Sequence, residues 1–371
     1  MSAMFSEVLT IVNGRNQRAV ENPDGEYPIY GSGGIMGYAD DFLCEAETVI
    51  IGRKGNINKP IYVETPFWNV DTAFGLCANR EVLLPKYLYY FCESYDFEKL
   101  NTTVTIPSLT KENLLQVEMP LPSLDEQKII TDKISLSDRA IGICDSVLDK
   151  LDRLIKSKFV EMFGDPVYNP MKWPVSCLGS LSVQINSGNT PKGGSKVYVD
   201  KGITFFRSQN VWKDRLEMDD IAYIDEETHK KMKRSSLKHG DILMTKTGRF
   251  NTENSSLGRA ALYVGEDYAA NVNGHVYFIR LKEGVNNRFV LRILVSDEYR
   301  DYIRSVCVGG IDKRQLNKEH IEEFPIICPP TEMVNEYVEF VQRADEAKKA
   351  INQIRKEAEV LKKTMIQEYF G

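Results

Sequence analysis

Leu109-Thr-Lys111-Glu112, Leu154-Ile-Lys156 and Glu161-Met-Phe163-Gly164 return, in order, as Leu316-Asn-Lys318-Glu319, Leu361-Lys-Lys363 and Glu368-Tyr-Phe370-Gly371. Residues 109–164 lie without a gap on 316–371, each meeting the residue 207 positions later, with eleven identities among 56 positions. Pro122 meets Pro329, Asp138 meets Asp345 and Ala140 meets Ala347 in that register. A gapless match of this length marks an internal duplication. Two copies of a module of about 150 residues or more are too few and too long for a solenoid. The expected molecule is pseudo-two-fold, built from two domain-plus-helix halves.

The helical part of each copy is legible. Ser123-Leu-Asp125-Glu126 after Pro122 is a capping box, in which the Ser hydroxyl accepts from the backbone N–H three residues on and Glu126 reaches back. No proline follows before Phe163. Ala140, Cys144, Val147, Leu151 and Leu154 alternate steps of four and three, as do Ala347, Ile351, Ile354, Ala358, Leu361 and Met365. That is the 3.5-residue period of a coiled-coil seam. Gly142 costs about 1 kcal/mol inside a helix and suits a close approach of two helices. At 1.5 Å per residue, helices over 127–163 and 331–369 are each about 55 Å long. The matched seams predict an antiparallel pair with Leu154 and Leu361 in one system of interface layers.

The segments before each helix read as β-rich and mixed. Thr48–Ile51, Ile61–Val63, Ile203–Phe206, Asp241–Thr245 and Val276–Ile279 are short β-branched or aromatic runs between Gly, Asn and Pro. Helical stretches are expected near Lys86–Tyr95 and Arg288–Val306. Gly14 matches Gly188 at an offset of 174, so the second domain carries roughly 33 extra residues. The predicted fold is α+β: two β-rich domains joined by two long helices packed as an antiparallel coiled coil. The expected boundaries are 1–107 for the first domain, 108–165 for a junction and central helix, 166–315 for the second domain and 316–371 for a junction and distal helix.

With 42% hydrophobic and 27% charged residues among 371, the chain has the make-up of a soluble globular protein with room for two cores. It has no apolar run of ~20 residues and no signal-peptide pattern at the N-terminus, so a cytoplasmic address is expected. The seven cysteines are scattered without a CxxC pair and read as reduced thiols. The net charge of −6 argues against a nucleic-acid partner only until it is divided. Residues 1–107 carry −6, 108–165 carry −3, 166–329 carry +4 and 330–371 carry −1. The second domain is basic inside an acidic protein, with His229-Lys-Lys-Met-Lys-Arg234, Lys238 and His239 clustered and Lys246, Arg249 and Arg259 following.

Tyr27-Pro-Ile-Tyr30-Gly31-Ser-Gly33-Gly34-Ile-Met-Gly37-Tyr38, Val49-Ile-Ile-Gly52-Arg53-Lys54-Gly55 and Phe67-Trp68-Asn-Val-Asp71-Thr72 resemble the target-recognition domain of type I restriction–modification specificity subunits. Ile106-Pro107-Ser-Leu109-Thr-Lys111-Glu-Asn-Leu114 and Met119-Pro-Leu-Pro122-Ser-Leu-Asp-Glu126-Gln127 are similar to that family's junction into its spacer helix. Ser187-Gly188-Asn-Thr190-Pro191, Phe206-Arg207-Ser-Gln209-Asn210-Val211 and Gly240-Asp241-Ile242-Leu243 repeat the family's order in the second half. The chain departs from the pattern in lacking a Trp-Pro lead-in like Trp173-Pro174 before the first domain, and in having Cys328-Pro-Pro-Thr331 opposite Leu121–Gln127. The resemblance implies a DNA-binding subunit without catalysis of its own, reading a bipartite asymmetric site with one half per domain. It implies double-stranded DNA, two methyltransferase subunits and restriction/translocase subunits as partners. S-adenosylmethionine, ATP and Mg would then belong to those partners, and this chain would carry no cofactor and no metal. A methylation-only complex and a coiled-coil adaptor are the alternatives.

Loops rich in Arg, Lys, Asn and Gln between short strands suit base edges and phosphates. Arg53, Lys54, Asn56, Asn58 and Lys59 are the DNA-binding candidates of the first domain. Arg207, Gln209, Asn210, Lys246, Thr247, Arg249 and Asn251 are those of the second. The glycines at 31, 33, 34, 52 and 55 allow close backbone approach. No catalytic constellation emerges: Gly31–Gly37 lacks the GxxxxGK[ST] pattern of a phosphate loop, and the histidines at 229, 239, 275 and 320 have no ligand spacing.

Overall fold

The computed structural model describes residues 1–100, 108–250, 252 and 254–371. Ile106-Pro107 of the junction motif and Asn251 lie outside the described residues. The chain divides into two compact units, 1–149 with 348–371 and 150–347. Each unit therefore holds one β-rich domain, a length of the central helix Leu124–Phe163 and a length of the C-terminal helix Thr331–Phe370. Among the described residues no helix is long and apolar enough to cross a membrane.

The first unit is organised on the sheet Leu9–Asn13, Ala73–Ala78, Thr48–Gly52, Ile61–Val63, antiparallel throughout. Thr48–Gly52 is buried along its whole length, which is why its sequence is an unbroken β-branched run rather than an alternation. One face packs Val49, Ile51 and Leu76 against Leu88 and Phe91 of the helix Pro85–Ser94. The other packs Ile50 and Ala73 with Cys44, Val63 and Phe67. A second sheet pairs Tyr27–Gly31 with Gly34–Ala39 and, in parallel, with Trp68–Asn69.

The second unit repeats this plan. Its main sheet runs Ser182–Ser187, Val276–Leu281, Ile242–Thr245, Ala260–Leu262. Its second sheet again ends on a parallel pair, Ile203–Phe206 with Ala270–Val272. The register agrees at the end of the ladder, where Asn13 lies opposite Phe74 and Ser187 opposite Tyr277, while the second ladder alone has a bulge between Ser182 and Gln184. Gly14 and Gly188 follow those strands, and a Cβ on either would stand 1.8 or 2.1 Å from a valine carbonyl oxygen, of Val70 and Val272 respectively. The extra length of the second domain includes the hairpin Val211–Trp212/Arg215–Leu216 and the helix Glu226–Lys231. The single helix expected over Arg288–Val306 is two, Asn287–Leu294 and Asp297–Val306. Ser296 caps the second by accepting from the Tyr299 N–H at 3.2 Å.

The capping box forms as the sequence requires: Glu126 accepts from the Ser123 N–H at 2.9 Å and the Ser123 hydroxyl accepts from the Glu126 N–H at 3.4 Å. Gln127 is buried and locks the helix start to its domain, accepting from Leu84 N–H and donating to Val82 and Pro122 carbonyls, each at 2.9 Å.

Within each unit the helices run antiparallel. In the first, Lys133 meets Tyr369, Asp138 meets Lys362 and Asp145 meets Arg355. In the second, Tyr337 packs on Phe159 and Phe163 at 5.5 and 5.6 Å between ring centroids. The expected seam needs correction. Cys144 is buried and Ala140, Val147, Leu151, Ile351, Ala358 and Met365 are half-buried, but Ala347 is exposed, and Leu154, Ile354 and Leu361 are 50–55% exposed. The face turned inward instead follows Ile134, Ile141, Cys144, Leu148, Leu151 and Ile155, and, on the other helix, Ala344, Ile351, Arg355, Ala358, Lys362 and Met365. At alternate steps an apolar residue stands beside the true seam position. Counting apolar residues picks the neighbour wherever the seam holds a cation, as at Arg355 and Lys362.

Candidate functional site

In both units the central strand of the main sheet runs out into the loop that holds the candidates. In the first, Gly52 ends the strand where a Cβ would stand 2.5 Å from the Asn56 carbonyl oxygen, so the loop folds back tightly over it. Gly55 turns with φ +79°, a conformation open to glycine at little cost. Buried Ile57 pins the loop beneath. Arg53, Lys54, Asn56 and Lys59 are left exposed. Asn58 is exposed too, but its amide is occupied, donating to Asp96 at 2.9 Å and accepting from the Phe97 N–H at 2.8 Å. It shapes the loop.

The second domain separates its candidates more sharply. The Arg207 guanidinium pairs with Asp220 at 3.1 Å, and Gln209 donates to the same carboxylate at 2.7 Å. Hydrogen bonds from Gln209 and Arg207, with the Arg207 charge, hold Asp220 below the usual carboxylate pKa. Asn210 is buried, donating to the Glu217 and Asp220 carbonyls at 3.1 and 3.0 Å and accepting from the Arg207 N–H at 2.9 Å. As a reader of base edges Asn210 is therefore withdrawn, because no part of its amide reaches the surface. Lys246 and Thr247 are half-buried and Arg249 is exposed on the short strand Thr247–Arg249. The basic run at 229–239 is partly neutralised on its own helix, where Lys230 and Lys231 pair with Glu226 and Glu227 one turn earlier.

Superposing the two registers brings together residues that sequence comparison had left apart. Arg53 donates its N–H to the Thr72 carbonyl at 2.8 Å and accepts from the Leu109 N–H at 3.0 Å. Lys246 donates to the His275 carbonyl at 2.8 Å and accepts from the Leu316 N–H at 2.9 Å. Leu109 and Leu316 are partners in the duplication. Each cation rests 5.8 Å from an aromatic ring on the neighbouring strand, Phe74 or Tyr277. Arg53 and Lys246 thus occupy one site, duplicated, at the same exit from the same strand. Their offset of 193 differs from both 174 and 207, so insertions on either side hide the match in the sequence.

The sequence places Arg259 in the basic cluster of the second domain but gives no sign of the aromatic rings under that domain's cations. Arg259 lies 3.9 Å from the Trp212 ring centroid, with Arg215 at 5.4 Å from the same ring. Burial, with Arg300 and Arg215 nearby, pulls the Arg259 pKa down from its ordinary value. Arg314 lies 3.9 Å over Phe250. What this arrangement offers is cations on a rigid sheet edge, framed by backbone-tight glycines, which is chemistry for binding an anionic polymer.

Comparison with known proteins agrees with that chemistry. A family model described as the type I restriction modification DNA specificity domain matches residues 4–153 and 170–362. The chain is 22% identical over 278 residues to the type I restriction enzyme MjaVIII specificity subunit of Methanocaldococcus jannaschii, covering 71% of this chain and 61% of that one. It is 21% identical over 320 residues to the type I restriction enzyme StySPI specificity subunit of Salmonella potsdam, covering 80% and 65%. It thus spans a little under two thirds of the length of these relatives. The crystal structure of the S subunit of a type I restriction-modification system from M. genitalium shares the fold, with a TM-score of 0.63 at 15% identity over 100% of this chain and 96% of that one.

Proposed function

Because this chain belongs to the type I restriction modification DNA specificity family, we propose that it is the DNA-reading subunit of a type I restriction–modification complex, with one unit for each half of a bipartite, asymmetric site. The observation that carries this reading is the duplicated cation site at Arg53 and Lys246. The same backbone frame is surrounded by different loops in the two units: Lys54, Asn56 and Lys59 in one, Thr247 and Arg249 in the other. Equivalent frames with unlike side chains suit two unlike half-sites. In this reading the chain contributes recognition and no chemistry. S-adenosylmethionine, ATP and Mg belong to the methyltransferase and translocase/nuclease subunits that it recruits.

The helices supply a reason to expect those partners. In the first unit Ile129, Leu136 and Ile143 are exposed at seven-residue intervals on the central helix, and Ile354 and Leu361 are exposed at the same interval on the C-terminal helix. Repeats of seven keep a helix stripe on one side, and a partner subunit that covers this stripe removes its apolar surface from water. All five residues lie in the first unit, where the stripe suits one methyltransferase subunit; the second subunit is carried over from the family resemblance alone.

Exchange of residues 1–107 for the equivalent domain of a relative tests the assignment. Methylome sequencing of the host is expected to show one half of the methylated site changed and the other half kept. Change in both halves, or an unaltered site, defeats the reading of one unit per half-site.

A further inference from the structure

We propose that the hairpin Val308–Gly309/Lys313–Gln315, together with Arg249, is an arm that grips backbone phosphates of the DNA read by the second unit. The proposal rests on the DNA-reading assignment above and adds the element and residues that carry it. The arm is a three-stranded sheet separate from the main one: Thr247–Arg249 pairs with Lys313–Gln315, which pairs with Val308–Gly309. Its register sets Arg249 directly opposite Lys313. Both side chains are exposed, and among the described residues neither makes an ion pair with a carboxylate. Like charges directly opposite one another on antiparallel strands oppose folding. The fold would gain by any neutral or acidic residue at either place, so the pair calls for an anion outside the chain.

The surroundings make the arm a built element. On the opposite face Arg314 lies 3.9 Å over the Phe250 ring, with its Nε enclosed and without a hydrogen-bond partner. The Phe250 N–H donates to the Asp312 carbonyl at 2.9 Å, fixing the tip to the strand that carries Arg249. Gly309 has φ +137°, and a Cβ there would lie 2.7 Å from the Lys313 carbonyl oxygen, so the bend requires glycine. At the tip Ile311 is 89% exposed. Two cationic side chains whose Cβ atoms stand roughly 5 Å apart across a strand pair can both reach the oxygens of one phosphate or of neighbouring ones. An apolar tip beside them then meets the groove wall. In sequence the first copy differs: residues 101–108, offset by 207 from 308–315, read Asn-Thr-Thr-Val-Thr-Ile-Pro-Ser with no charge. The grip therefore belongs to the second half-site.

Arg249→Glu separates function from folding, because a glutamate opposite Lys313 turns a repulsive pair into an attractive one. With the full chain and a fluorescently labelled mixed-sequence duplex, anisotropy across a salt series is expected to show affinity lowered about ten-fold or more. The slope of log K against log salt is expected to fall by roughly two, since Lys313 is then engaged within the protein. The thermal midpoint should equal or exceed that of the wild type. Should Arg249→Glu lower it instead, Arg249→Gln and Lys313→Gln decide: each is expected to lower the slope by roughly one with the midpoint unchanged. Wild-type affinity and slope in all three variants overturn the arm. If Lys246→Ala still weakens binding in that case, the DNA-reading assignment stands without the arm. Failure of the wild type to bind the duplex defeats both.

Discussion

The two units fill equivalent positions with opposite chemistry. Beside the first pair of the main-sheet ladder, the first unit has Thr48 with its hydroxyl 3.5 Å from the Cys77 sulfur. At that place the second unit has Asp241, fully buried, held by two hydrogen bonds from Arg280 at 2.9 and 2.7 Å. In the helix pair the exchange is reversed. The second unit buries Ile155, while its duplication partner Lys362 lies in the first unit between Glu93 at 2.8 Å and Asp138 at 2.9 Å. One backbone plan thus tolerates an ion pair or a neutral contact at either site. What it does not tolerate is half of an ion pair, since a lone buried charge keeps its desolvation cost and loses its attraction.

The largest expected effect tests the sheet. Asp241→Ala leaves Arg280 without its carboxylate and should destabilise the second unit by about 3–5 kcal/mol. Thr48→Val, at the corresponding place, removes a hydrogen bond from the hydroxyl to the Glu45 carbonyl at 2.8 Å and should cost only about 0.5–1.5 kcal/mol. Urea unfolding of both variants checks the contrast, and equal costs would break it.

The helix pair comes next. Lys362 is only 17% exposed. Burial works against its charge, but hydrogen bonds to Glu93 and Asp138 outweigh that and leave its pKa above the ordinary lysine value. Lys362→Ile installs the residue found at position 155, yet strands two carboxylates, and should cost about 1–3 kcal/mol, between a surface pair and a buried one. A neutral or stabilising result in thermal unfolding would mean that the two helix contacts are interchangeable.

The duplicated cation site predicts matched effects on binding. Arg53→Ala and Lys246→Ala should each lower the salt slope by roughly one, and each should disturb its own half-site. If one variant matters and the other does not, the frames are equivalent but their use is not. Asp297 offers the smallest effect. Hydrogen bonds from Lys156 and Lys213, both at 2.7 Å, depress its pKa to about 2. A carboxylate with a depressed folded pKa adds stability above its unfolded pKa of about 4 and loses it as pH falls. The carboxylate is largely exposed, so Asp297→Asn should cost at most about 1 kcal/mol near neutrality. Acid titration should show that difference closing between about pH 4 and pH 2.

Much of this molecule was determined by local sequence. The duplication, the capping box at Ser123–Glu126, the buried strand Thr48–Gly52 and the tight glycines at 14 and 188 depend on backbone conformation and on periodicity within a few residues. Such signals survive without knowledge of the partner strand or helix. The rest depended on contacts between residues far apart in the chain. Arg355 and Lys362 turn inward because Asp145, Glu93 and Asp138 await them, so the apolar count slipped to Ile354 and Leu361. Asp220 holds Arg207 and Gln209, and burial removes Asn210 from the surface. The equivalence of Arg53 and Lys246 emerges only from strand register, as does the meeting of Arg249 with Lys313. Side-chain type and spacing state what a residue is able to do; the sign and distance of its long-range neighbours decide whether it is free to do it.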